Sequence, residues 1–148
     1  MKLLFDIGLR RFDESSLDEE DARRLLELFL ESLGVTSDVA RDLFEVLLVS
    51  RAGDTALTAR QIRDSIIGLR KARKVEDAEK GLTARNIQIW LKYFKGIRLV
   101  DKLGDRYHFK GNKRPSRVFA EDTKPVVEES VKYVERVLKK VEEAYRIK

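Results

Sequence analysis

Apolar positions recur at helical spacing along most of this chain and switch to a two-residue alternation over one short stretch. Leu25, Leu26, Phe29, Leu30 and Leu33 repeat as one helix face, and Gly34 stands where that helix should stop. Ser16 followed by Glu19 has capping-box spacing, so the helix is expected to begin there. A second helix is expected from Thr36 or Ser37, carrying Val39, Leu43, Phe44, Val46, Leu47 and Val49 until "RAGDT" breaks it. Residues 3–12 read as a short strand or an arm.

Two similar phrases follow, "ALTARQI" and, 25 residues later, "GLTARNI". Each is a helix-start device, with Thr58 and Thr83 as N-caps and Leu57 and Leu82 at the staple position; Gln61 completes a capping box with Thr58. The helix from Thr58 is expected to bury Ile62, Ile66 and Leu69, with Gly68 weakening its far end. The intervening "RKARKVEDAEKG" reads either as an extension of that helix or as a loop. In the helix from Thr83, Ile87, Trp90, Leu91 and Phe94 form a core stripe at i, i+3, i+4 and i+7. Arg85, Ile89 and Lys92 lie opposite, flanked by Gln88, and Gly96 is expected to end the helix.

The period then shortens. "IRLVDKL" and "RYHFK" flank Gly104-Asp105, which predicts a β-hairpin with Tyr107 and Phe109 turned inward and Arg106, His108 and Lys110 on the other side. A basic loop, "GNKRPSR", follows. In the last segment Thr123 is the expected cap and Pro125 sits in the first turn. Val127, Val131, Val134, Leu138, Val141 and Tyr145 form an a/d heptad seam, supported by i, i+4 pairs from Glu128, Glu135 and Glu142 to Lys132, Lys139 and Arg146. This seam favours a homodimer, to which the helix of Leu17–Leu33 is a candidate contributor. Val126, Val137 and Ala144 widen the stripe, so packing on the chain's own domain is also open.

Charge sharpens the picture. The 148 residues carry a net charge of +5, but residues 1–50 hold 6 Lys/Arg against 12 Asp/Glu, whereas residues 51–120 hold 18 against 7. The positive charge sits where the helix from Thr83 and the hairpin lie, which points to a polyanionic partner. The absence of cysteine excludes disulfides, thiolate zinc sites and cysteine nucleophiles. No glycine-rich phosphate loop or metal-spaced His/carboxylate set is present, so neither an enzyme nor a cofactor is expected. The single histidine, His108, reads as a surface residue. High Lys, Arg and Glu with few Asn, Gln and Met leans towards a thermophile. With no signal-peptide core or membrane-length apolar run, a soluble cytoplasmic protein without membrane partners is expected.

From about residue 38 to 119, the order of three helices and a ribbon resembles a winged helix-turn-helix DNA-binding domain. "GIRLVDKLGDRYHF" is similar to the way such domains leave their recognition helix. The resemblance implies a mainly α fold with a small β-hairpin wing. With the flanking patterns, the chain is read as an N-terminal arm and helix (1–37), a winged-helix domain (38–120) and a C-terminal dimerisation helix (121–148). It implies double-stranded DNA as partner. Arg85 and Gln88 would reach base edges, Ile89 a thymine methyl, and Lys92 a phosphate. Lys102, Arg106 and Lys110 would grip the backbone, joined by Lys113, Arg114 and Arg117 from the loop. Arg70, Lys71, Arg73 and Lys74 are further candidate phosphate contacts, since the link they belong to is longer than such domains usually have. The alternative is a winged-helix module for protein–protein assembly in a nucleic-acid-processing complex; structured RNA is a third option.

Overall fold

A computed structural model describes all 148 residues. The elements run α1 (Ala22–Ser32), α2 (Asp38–Ala52), β1 (Leu57–Thr58), α3 (Ala59–Ala72), α4 (Ala84–Gly96), β2 (Val100–Leu103), β3 (Arg106–Phe109), α5 (Pro115–Val118) and α6 (Lys124–Ala144). The fold is mainly α with a small β-hairpin wing. No helix is long and apolar enough to cross a membrane.

Local capping chemistry sets most helix starts. Ser37 accepts from the Ala40 N–H, Thr58 from Gln61, and Thr83 from Asn86. The Thr58–Gln61 capping box forms in both directions. The start of α1 differs from expectation. Asp21, not Ser16, is its N-cap, accepting from the Arg24 N–H at 2.9 Å. Residues Glu14–Asp18 make a separate 3-10 turn, and Glu19 accepts from the Asp21 N–H at 3.1 Å. Two carboxylates thus serve the α1 start that Ser16 was expected to serve.

Twenty-one buried hydrophobic residues form one core, to which α1 contributes Leu26 and Leu30, and its C-cap Leu33, alongside residues of α2, α3, α4 and the hairpin. Phe44 is its hub. Its ring lies 5.3 Å from Phe29 of α1, 4.9 Å from Phe94 of α4 and 5.6 Å, edge-on, from Phe109 of β3. The hairpin register pairs Val100 with Phe109 and Leu103 with Arg106, leaving Gly104-Asp105 as a two-residue loop with Gly104 at φ 62°. Tyr107 and Phe109 are buried as expected. The sheet has a third strand that the sequence pattern did not reveal: β1 pairs antiparallel with β3, giving the order β1-β3-β2.

The charged connection between α3 and α4 also differs from a simple basic surface. Its basic half extends α3 to Ala72, and its acidic half turns. Arg70 is buried, at 6% exposure, against Asp42, at 1%. Its Nε donates to Asp42 Oδ2 at 2.8 Å, while its Nη1 donates to the carbonyls of Ala78 and Lys80 at 3.1 and 2.7 Å. Arg23 and Arg41 approach the other Asp42 oxygen at 3.4 and 3.2 Å. Arg73 makes a bidentate pair with Glu45, both contacts 2.8 Å. Two of the four candidate phosphate contacts are therefore used inside the fold; Lys71 and Lys74 remain exposed.

The C-terminal helix departs most from expectation. Thr123 does not cap it. Helical backbone runs on from Pro115, through a π-helical turn at Phe119–Thr123, into α6. Pro125 has no N–H to give the Glu121 carbonyl, and its ring crowds that carbonyl, which accounts for the widened turn. Thr123, fully buried, donates its hydroxyl to the Ile97 carbonyl at 2.7 Å. From Val131 onward every residue is exposed, so the helix does not fold back on its own domain. None of the three expected i, i+4 ion pairs closes within 4.0 Å; Glu129–Lys132 at 3.6 Å takes their place.

Removing one partner of the buried pair should be costly. Arg70→Met is expected to destabilise by about 3–5 kcal/mol in denaturant unfolding, against about 1 kcal/mol or less for Arg73→Ala, whose pair is partly solvated. Hydrogen bonds from Arg73 hold the Glu45 carboxyl below its ordinary range. Its contribution is present above the unfolded carboxyl value and lost as pH falls through the lower folded one. Stability measured from pH 6 downward should therefore decline less steeply in Arg73→Ala than in the parent.

Candidate functional site

The position of α4 is set before its first turn. Gly81, at φ 76°, passes so close to α2 that an added Cβ would lie 3.0 Å from Val39 Cγ2. Arg63 Nε donates to the Leu82 carbonyl at 2.8 Å, and Asn86 Nδ2 to the Gly81 carbonyl at 2.9 Å. With Arg70 on Ala78 and Lys80, three side chains hold the approach to the Thr83 cap. Leu82 is buried behind it. The helix ends at Gly96 as expected, with Ile97 as its C-cap, and Arg98 makes the left-handed closing turn at φ 72°.

Ile87, Leu91 and Phe94 are buried, and Trp90 is half-buried beside Tyr93 at 5.5 Å between rings. On the opposite side Arg85, Gln88, Ile89 and Lys92 are exposed, Ile89 at 47%. Neither Arg85 nor Lys92 enters an ion pair within 4.0 Å. The wing adjoins this surface: the Tyr107 hydroxyl lies 3.5 Å from Gln88 Oε1, and Lys102 Nζ stands 5.7 Å from the Tyr107 ring centre. Arg106 is exposed but tethered, donating to the Ala56 carbonyl at 2.9 Å. The structure thus puts Arg85, Gln88, Ile89 and Lys92 on one helix face with Lys102 of the wing close by, while Arg106 is turned to the β1 side against Ala56 and Gln61.

The other basic candidates sit elsewhere and are mostly neutralised. Lys110 follows β3 at the base of the hairpin, roughly 13 Å from its tip, and lies 3.5 Å from Asp122. Lys113 bridges Glu121 at 2.7 Å and Asp122 at 3.4 Å, and Arg117 meets Glu121 at 2.8 Å. These contacts are strong enough to shift titration. Glu121 raises the Lys113 ammonium and the Arg117 guanidinium above their ordinary values, and Lys113 and then Arg117 lower Glu121. Arg114 is exposed and unpaired.

The N-terminal arm is a feature of the site that sequence patterning did not place. It forms no strand. Its one backbone anchor to the body is Arg10 N–H to the Ser32 carbonyl at 2.7 Å. Residues 3–8 then pass the α1–α2 turn and border an open cleft of about 900 Å³ shared with Ile89, Trp90, Lys92 and Tyr93. Phe5 and Ile7 are half-buried while Leu3 and Leu4 are exposed. The alternation of Phe5 and Ile7 is the signal for an extended segment lying on a surface.

No family model, curated protein or solved structure matches this chain. The functional reading therefore rests on the geometry above.

Burial, and secondarily the nearby Asp6 carboxylate, raises the Tyr93 phenol above its ordinary value of 10.0. A spectrophotometric titration should show a tyrosine ionising later than a free phenol, and Tyr93→Phe should remove that step. Asp6→Asn should move it part of the way back.

Proposed function

We propose that this chain is a winged-helix DNA-binding protein, acting as a dimeric transcriptional regulator. The observation that carries the reading is how the cations are distributed. Arg41, Arg63, Arg70 and Arg73 are used in internal contacts. The outer face of α4 keeps Arg85 and Lys92 unpaired beside a wing bearing Lys102. In this reading Arg85, with its planar fork, suits a guanine edge; Gln88 suits adenine and Ile89 a thymine methyl. Lys92 and Lys102 neutralise phosphate, assisted by Arg106. Lys110, Lys113 and Arg117 contribute little while Glu121 and Asp122 hold them.

A second reading has its own support. The apolar cleft between the arm and α4 places exposed Leu3 and Leu4 near Ile89, which suits a protein partner in a larger assembly. Salt separates the two readings. Phosphate-driven binding weakens linearly in log–log form as salt rises, whereas apolar docking does not.

A salt titration of affinity for random duplex DNA, followed by selection of preferred sites, is the direct test. Lys92→Ala should reduce the salt slope by about 1, and Arg85→Ala should lose discrimination among sites at similar overall affinity. Absence of salt-dependent duplex binding would remove this reading in favour of the assembly module.

A further inference from the structure

We infer that α6 pairs with α6 of a second copy of this chain in antiparallel orientation, the two-fold axis crossing the seam between residues 134 and 138. This deepens the dimeric part of the function proposed above. It is tested without nucleic acid, so its failure and the failure of DNA binding are separable.

The first ground is exposure. The domain half-covers Val126 and Val127, and beyond them the seam has no partner: Val134 is 62% and Leu138 57% exposed. The second ground is which copy-to-copy arrangement the side chains fit. In heptad terms Val127, Val134 and Val141 take d, and Val131, Leu138 and Tyr145 take a. A parallel two-stranded coil favours leucine at d, whereas all three d positions here are β-branched. Turned antiparallel, the seam complements itself at every layer. Val127 faces the second copy's Tyr145, Val131 its Val141, and Val134 its Leu138, so the larger side chains meet valines.

The g flank points in the same direction. Antiparallel helices set g against g, where Ser130 meets Ala144 and Val137 meets its own copy. This uses the widening of the stripe that a strict seam leaves unexplained. A parallel pair would instead set Ser130 and Val137 against Glu135 and Glu142. The antiparallel arrangement does set carboxylates against one another on the e flank, Glu135 against its own copy and Glu128 against Glu142 on either side of it. That flank stays solvated, and repulsion between solvated helix carboxylates is small beside the burial of six apolar side chains per helix. The pairing places the two Val127 residues about 27 Å apart along the helices, with one domain at each end. That spacing is of the same order as the roughly 34 Å between half-sites one turn apart on DNA.

Because the native chain has no cysteine, disulfide trapping is clean. Val131→Cys and Val141→Cys are each oxidised alone and as an equimolar mixture, with sedimentation equilibrium of the parent alongside. The antiparallel pair predicts a parent mass of twice 17.2 kDa. It also predicts covalent dimer in the mixture and almost none from either variant alone, since like positions then lie about 15 Å apart along the axis. Covalent dimer from a single variant alone would establish a parallel pair and overturn the inference. So would a monomeric parent, a larger oligomer, or a dimer trapped by neither route. Leu138→Glu should abolish the dimer while the helical signal and unfolding transition of the domain are retained; a dimer surviving it would also overturn the inference.

Discussion

The contact between Arg70 and Asp42 is the constraint on which the placement of α4 depends. A buried guanidinium is tolerable only when its donors are used, and here one meets a carboxylate while another is shared by two carbonyls of the following turn. Its consequence is geometric rather than merely energetic. The Ala78 and Lys80 carbonyls belong to the connection that leads to the Thr83 cap, so fixing them fixes where α4 starts. A connection of this length would otherwise leave the helix loosely placed. Arginine suits the task because its planar fork reaches a side chain and the main chain together, which a lysine ammonium at the same place could not do as well.

The same chemistry explains why the middle segment presents less free positive charge than its count of Lys and Arg suggests. Arginines on α2 and α3 are recruited inward by Asp42, Glu45 and backbone carbonyls. The basic loop after the wing is balanced by Glu121 and Asp122 on the π turn. What stays uncompensated includes the outer face of α4, Lys102 of the wing and Arg114, together with Lys71 and Lys74 at the end of α3. Net charge over a sequence window counts all of these equally, whereas a partner meets only those left unpaired.

Much of this was legible in the chain because it is local. Thr58, Gln61 and Thr83 cap helices through atoms three residues away, and the alternation around Gly104-Asp105 is likewise short-range. Arg70 was legible in principle, since it follows Ile62 and Ile66 at steps of four on a buried stripe, though its basic neighbours disguised it. Ser16 and Thr123 show the limit of local pattern. Both have the residue type of a cap, yet Asp21 serves α1, and Thr123 lies inside continuous helix with its hydroxyl drawn to Ile97. The two-residue β1 is too short to carry a period, and its pairing with β3 joins residues about fifty positions apart. The place of the arm was equally hidden, because it depends on a surface assembled from α4 and the α1–α2 turn.

Thr123 also joins the two ends of the molecule that carry the functional argument. Ile97, whose carbonyl it engages, is the residue that closes α4; Thr123 itself stands at the root of α6. Both residues are buried, so the bond is shielded from competing water and ties the root of α6 to the end of α4. A helix projecting freely from a flexible hinge could bring two copies together without orienting them. One locked at its root to the end of α4 transmits orientation, so that whatever arrangement the C-terminal helices adopt with a partner also sets how the exposed faces of the two α4 helices are displayed. The widened turn at Pro125 is part of this device: it lets the helix continue past a proline while Thr123 is turned toward Ile97.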